Sequence, residues 1–143
     1  QCTPLPHTRP FRTDGYFYDI IQTGEKKYFI TIGDVSGKGI PAAIYMATVQ
    51  AMLQFDSSLY HTPSEILKEV NTQVYDTIDK NSFITISACI LDLEKYEMNI
   101  CRAGHNPLIQ IRDGVTGIIR NKGICVGLEK ENIVNSELEE MVL

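Results

Sequence analysis

Residues 28–55 change period within a few positions, and this constrains the fold more than any other feature of the chain. The run YFITIGD (28–34) is apolar on both alternating faces, as a strand flanked by neighbours must be. A glycine-rich turn follows, and residues 40–55 then repeat at helical spacing. Ile40, Ala43, Ile44, Ala47 and Ala51 mark one stripe, and Met46, Val49 and Leu53 mark a neighbouring one. Pro41 suits a first helical turn. The alanines suit close packing of this helix on a sheet or on another helix. The chain is thus committed to a central strand that feeds a packed helix through a tight loop.

The flanking segments extend that unit. GYFYDIIQ (15–22) is aromatic and β-branched and predicts a strand, joined to 28–34 as a hairpin through the polar turn 23–27. Residues 62–78 predict a helix. Thr62 is its N-cap, Pro63 its first residue and Glu65 the partner of a capping box. Ile66, Leu67, Val70, Val74 and Ile78 form its apolar face. Residues 83–93 and 96–104 predict two further strands, and 107–120 a hairpin turning at Asp113-Gly114. Residues 123–128 suggest one more short strand, and the tail alternates apolar residues with acids. Strands, then two helices, then several strands describe an α+β domain with helices on a largely antiparallel sheet.

At 143 residues the chain suits one domain, with 1–13 as a proline-rich lead-in and 14–143 as the folded part. A net charge of −5 argues against binding to nucleic acid or to an anionic membrane. No stretch approaches membrane-spanning length and no signal peptide opens the chain. Cys2, Cys89, Cys101 and Cys125 form no CxxC pair. Three of them sit in apolar stretches, which predicts buried, reduced thiols and a cytoplasmic protein.

Two motifs carry chemistry. The first, GDVSGKG, superficially resembles a nucleotide-binding P-loop. Only three residues separate Gly33 from Gly37-Lys38, however, and Gly39 offers no hydroxyl for Mg²⁺. Asp34 would also repel a phosphate seated there. A metal reading fits better: an aspartate at a strand end, with Gly37 and Gly39 allowing a sharp turn, suits Mg²⁺ or Mn²⁺. Asp14 and Asp19 lie on or before the neighbouring strand and are candidate partners. Capping of the helix that begins near Ile40 explains Asp34 equally well at this level. The second motif, AGHNP (103–107), combines Gly104, His105 and the turn pair Asn106-Pro107. A single histidine in such a turn reads as structural. His7 and His61 call for no function.

Together, GDVSGKGIPAAIYMA and FITISACILDLEKYEMNICRAGHNPLIQI resemble the SpoIIE-type bacterial branch of the metal-dependent (PPM, type 2C-like) serine/threonine phosphatases, over residues 16–128. The resemblance implies an α-β-β-α sandwich, two mostly antiparallel sheets flanked by helices. It implies hydrolysis of phosphoserine or phosphothreonine by a water activated between two Mn²⁺ or Mg²⁺ ions, which offset phosphoryl charge when about 3.5–4 Å apart. Asp34 matches the aspartate that bridges both metals, and Val35 the residue whose backbone carbonyl helps to ligate. Gly33, Gly37, Gly39, Gly104, His105 and Asn106 match positions of architectural motifs. The implied substrate is a phosphorylated anti-sigma antagonist of STAS fold, and an upstream sensor domain and a dimer fit the same pattern.

The chain departs from the family pattern in two places. Where the family has Gly-Gly-Asp-Tyr-Tyr-Asp, with the first aspartate a metal ligand, this chain has DGYFYD (14–19). Tyr16 takes the ligand slot, Asp19 keeps the second acid, and Asp14 is a displaced one. The family also continues beyond a segment like SELEEMVL into an Asp-Gly motif with further metal-binding acids, so the C-terminal part of the domain is expected to lie outside these residues. The alternative to an active phosphatase is a catalytically impaired, phosphatase-like regulatory or binding module.

Overall fold

A computed structural model describes residues 15–130, 134 and 137–143. The lead-in 1–13, Asp14, Cys2 and His7 lie outside the described residues. Strands β1 (Tyr16–Gly24) and β2 (Lys27–Val35) form the expected hairpin. Helices α1 (Ile40–Asp56) and α2 (Pro63–Tyr75) follow. Strands β3 (Ile84–Asp92) and β4 (Glu97–Ala103) come next, then β5 (Leu108–Arg112), β6 (Val115–Ile119) and β7 (Glu140–Val142). One antiparallel sheet runs β1-β2-β3-β4-β7, with β2 interior as its two apolar faces require. A separate two-stranded sheet holds β5 and β6. The β5–β6 turn is at Asp113-Gly114, both at positive φ, as a tight two-residue hairpin demands.

Strand alternation assigns each side chain to a face. Phe17, Phe29, Val35, Ile84, Ile86, Ala88, Cys101 and Ala103 point to one face and pack with Met46, Val49, Leu53, Ile66, Leu67, Val70 and Val74 of the helices into one core. The opposite face carries Tyr16, Tyr18, Ile20, Ile32 and Asp34. There a cavity of about 80 Å³ is lined by Ile30, Ile32, Cys89, Met98, Ile100 and by Leu108 of β5.

One open choice is settled and two expectations need correction. The stripe of α1 that buries is Ala42, Ala43, Met46, Val49 and Leu53, while Ile40 and Ile44 are exposed (76% and 58%). Both stripes are apolar, so periodicity alone could not choose between them. Helix α2 has the full capping box but ends at Tyr75 rather than 78; Ile78 still packs into the core from the turn beyond. Residues 123–128 make no strand: Val126 forms only an isolated bridge to Ile84.

Candidate functional site

Register brings four side chains to one end of the sheet. Tyr16 of β1 stands opposite Asp34 of β2, and Asp34 stands opposite Thr85 of β3. Directly paired residues project to the same face, so the three form a row across the strands. The AGHNP turn adds the fourth. Gly104 bridges Ile86 in parallel fashion, and His105 Nδ1 lies 2.8 Å from Thr85 Oγ1. Thr85 Oγ1 in turn donates to the Asp34 carbonyl oxygen at 3.5 Å.

The loop after Asp34 holds this end in place. Gly37 and Gly39 have φ of +94° and +80°, which a residue with a Cβ adopts only under strain. Ser36 is tied to the residue before β3, its N–H donating to the Phe83 carbonyl at 2.9 Å and its hydroxyl accepting from Phe83 N–H at 2.7 Å. Gly39, not Asp34, is the N-cap of α1, so helix capping does not account for the aspartate. Gly33 is required by space: a Cβ there would meet the Phe17 ring at 2.4 Å.

Gly15 bears on whether the site suits a cation. A Cβ at that position would stand 2.7 Å from the Val35 carbonyl oxygen and 3.2 Å from Asp34 Oδ1. Glycine therefore leaves these two oxygens uncrowded, and a carboxylate beside a carbonyl is the donor chemistry that Mg²⁺ and Mn²⁺ take. The residues fit a hard divalent cation on this observation. They form a partial donor set, since no three His, Cys, Asp or Glu side chains group as a metal cluster among the described residues.

Asp19 is not brought to Asp34. It pairs with Thr31, three positions along β1 from Tyr16, and so points to the opposite, helix-covered face, where it is 8% exposed. An odd number of residues along a strand reverses the face, and the hairpin register decides which acid meets which. Tyr16, 54% exposed, is the β1 residue opposite Asp34. Asp14 lies outside the described residues.

His105 is the residue whose place the sequence conveys least. It is half-buried rather than a surface turn residue. Burial lowers its pKa; the Asp34 carboxylate works against this and Arg102 with it, and the net shift is downward. That direction favours the neutral imidazole over the imidazolium. The Arg102 guanidinium donates to the backbone carbonyls of His105 and Asn121, which anchors the turn. Gly104, at φ +65°, packs against Cys125, while Asn106 is exposed. Thr85 escapes motif reasoning altogether. Its signal is the alternation Ile-Thr-Ile-Ser at 84–87, which sets a polar row within an apolar strand.

Comparison with known proteins agrees with the architecture. The family profile described as Stage II sporulation protein E (SpoIIE) matches residues 24–141. The phosphoserine phosphatase RsbU of Bacillus subtilis is 31% identical over 120 residues, covering 82% of this chain and 35% of RsbU. The chain thus spans about a third of that relative. Among solved structures, the PP2C phosphatase domain of SpoIIE from Bacillus subtilis superposes with a TM-score of 0.75 at 17% identity, covering 90% of this chain and 37% of that one. RsbX, solved in complex with magnesium, gives 0.69 at 14% identity, covering 90% and 59%. These structural likenesses establish a PP2C-type α+β fold.

Proposed function

This chain belongs to the SpoIIE family, and on that premise we propose that it forms part of a metal-dependent protein serine/threonine phosphatase. The reaction is hydrolysis of phosphoserine or phosphothreonine on a cytoplasmic regulatory protein, an anti-sigma antagonist of STAS fold. The observation that carries this reading is the pairing of Asp34 Oδ1 with the Val35 carbonyl beside Gly15, at the sheet end where His105 and Thr85 converge. Asp34 and the Val35 carbonyl would hold a divalent cation, Mn²⁺ or Mg²⁺. When bound, such ions supply Lewis acidity that activates water and offsets phosphoryl charge. Asp14, next in sequence to Gly15, is the proposed second carboxylate. The exposed Ile40, Ile44 and Phe55 on α1 offer apolar surface to an upstream sensor segment or to a second subunit. Hydrolysis of a phosphoserine peptide should require Mn²⁺ or Mg²⁺ and fall by at least about 100-fold in Asp34→Ala; an unchanged rate would remove Asp34 from the mechanism.

Two observations favour the second reading, a catalytically impaired binding module. Tyr16 stands opposite Asp34, and Asp19 points to the other face. That reading predicts Mn²⁺-independent binding of the phosphoprotein with no turnover, and Mn²⁺-dependent release of phosphate would dismiss it.

A further inference from the structure

Two buried polar atoms stand side by side on β3 and β4 with no hydrogen-bond partner among the described residues: Ser87 Oγ and Arg102 Nε. Ser87 pairs directly with Arg102, so both side chains leave the sheet on the same face, with Cβ atoms about 4.5–5.5 Å apart. It is the face that carries Thr85, two residues before Ser87 on the strand. Ser87 is only 4% exposed. The rest of the guanidinium is engaged, Nη1 donating to the His105 carbonyl and Nη2 to the Asn121 carbonyl. A guanidinium N–H shut away from solvent costs stability unless something accepts from it, and so does an enclosed hydroxyl.

We propose that an internal water bridges Ser87 Oγ and Arg102 Nε, so that all three guanidinium nitrogens are hydrogen-bonded. The space is at hand: Ser87 lines the cavity of about 80 Å³ on this face, whose other walls are mostly apolar, Ile30, Ile100 and Leu108 among them. A water needs about 10–15 Å³ of such space and at least two polar partners. Arg102 Nε–H only donates, whereas a serine hydroxyl both donates and accepts, so one oxygen between them satisfies both atoms. The apolar walls offer no such partners, which confines the water to the Ser87 end of the cavity. The same chemistry selects water over an oxyanion. A phosphate or carboxylate needs several donors, and here both Nη atoms are committed to carbonyls. The bridge acts on the AGHNP turn, because Arg102 clamps that turn to the segment 121–127. Gly104 N–H donates to the Gly123 carbonyl at 3.2 Å, and a Cβ on Gly123 would strike the Arg102 carbonyl. The water holds this clamp from the β3 side.

The test is a crystal structure of the full chain at a resolution that shows ordered waters, with Ser87→Ala and Ser87→Thr beside the wild type. An oxygen within about 2.7–3.2 Å of both Ser87 Oγ and Arg102 Nε is expected in the wild type. A direct bond between the two side chains, another protein group bonded to either atom, or clear density with no oxygen between them would overturn the proposal. Alanine removes the hydroxyl, so Ser87→Ala should lose the water; its retention there would overturn the role of Ser87. Threonine keeps the hydroxyl and has the cavity for its methyl group, so Ser87→Thr should keep the water. A solution measurement needs no variant and decides the matter should Ser87→Ala fail to fold. In ¹H–¹⁵N NMR of the wild type, the Arg102 Nε–H should show a cross-peak to water with the sign of a bound molecule, and absence of that cross-peak would contradict the bridge.

Discussion

Asp56, the last residue of α1, is buried beside Glu69 of α2, with Gln73 Nε2 donating to both carboxylates at 3.2 Å and 3.0 Å. Burial raises its pKa, and Glu69 adds to the rise, while the Gln73 hydrogen bond opposes it. A carboxyl whose folded pKa lies above its unfolded value costs stability once both forms are ionised. That cost is absent below the unfolded pKa of about 3.9 and complete above the folded one. Asp56→Asn removes the charge and keeps an acceptor for Gln73. The variant should therefore melt higher than wild type at pH 7, and the gap should close as pH falls towards 4; thermal melts across that range check both parts. The contrast with Asp34 is instructive at this scale. Asp34 ends a strand in a glycine-rich motif and stands out in the sequence, whereas nothing in QFDSS (54–58) distinguishes Asp56 as buried. Its burial depends on α2 folding across it, a contact no local pattern encodes.

At the scale of elements, the Glu140 side chain links β7 to α2. Glu140 accepts from Ser64 N–H at 2.9 Å in the first turn of α2 and from Asn99 Nδ2 at 3.0 Å on β4. Burial alone would raise its pKa, but the bonds from Ser64, Asn99 and Thr62 outweigh it and the net shift is downward. A carboxylate at a helix N-terminus is also favoured by the helix dipole. With the folded pKa depressed, the contribution of Glu140 is complete above its unfolded pKa near 4.3 and is lost as pH falls through the folded value. Glu140→Gln should cost about 1–2 kcal/mol at pH 7 in denaturant unfolding, with the difference shrinking in acid. The elements differ in how far the sequence reveals them. Helix α2 is readable because Thr62, Pro63 and Glu65 specify its start chemically and one apolar face is unambiguous. The β1–β2 hairpin and the Asp113-Gly114 turn are readable from alternation and turn residues. The buried stripe of α1 and the face taken by Asp19 are not, because both are settled by neighbours: competing apolar stripes in one case, a three-residue offset in register in the other.

For the whole molecule, one sheet face is sealed by α1 and α2 and the other carries the row Tyr16, Asp34, Thr85 and His105 at one end. That division explains why the motif residues recur as a set. The apolar alternation builds the helix-covered core, and the same strands place their remaining side chains on the site face. On that face Tyr16, Tyr18, Ile20 and Ile32 are each about half exposed. No helix among the described residues is long and apolar enough to cross a membrane. The family was legible from two motifs, GDVSGKG and AGHNP, whereas the geometry joining them through Thr85 was not, since it requires β3 to lie between them. The central claim is that Asp34 at this sheet end holds a divalent cation. Calorimetric titration of Mn²⁺ into wild type and Asp34→Asn tests it most directly. Saturable uptake by the wild type that is lost in an Asp34→Asn variant of unchanged Tm is the predicted result, and equal uptake by the two proteins would contradict it.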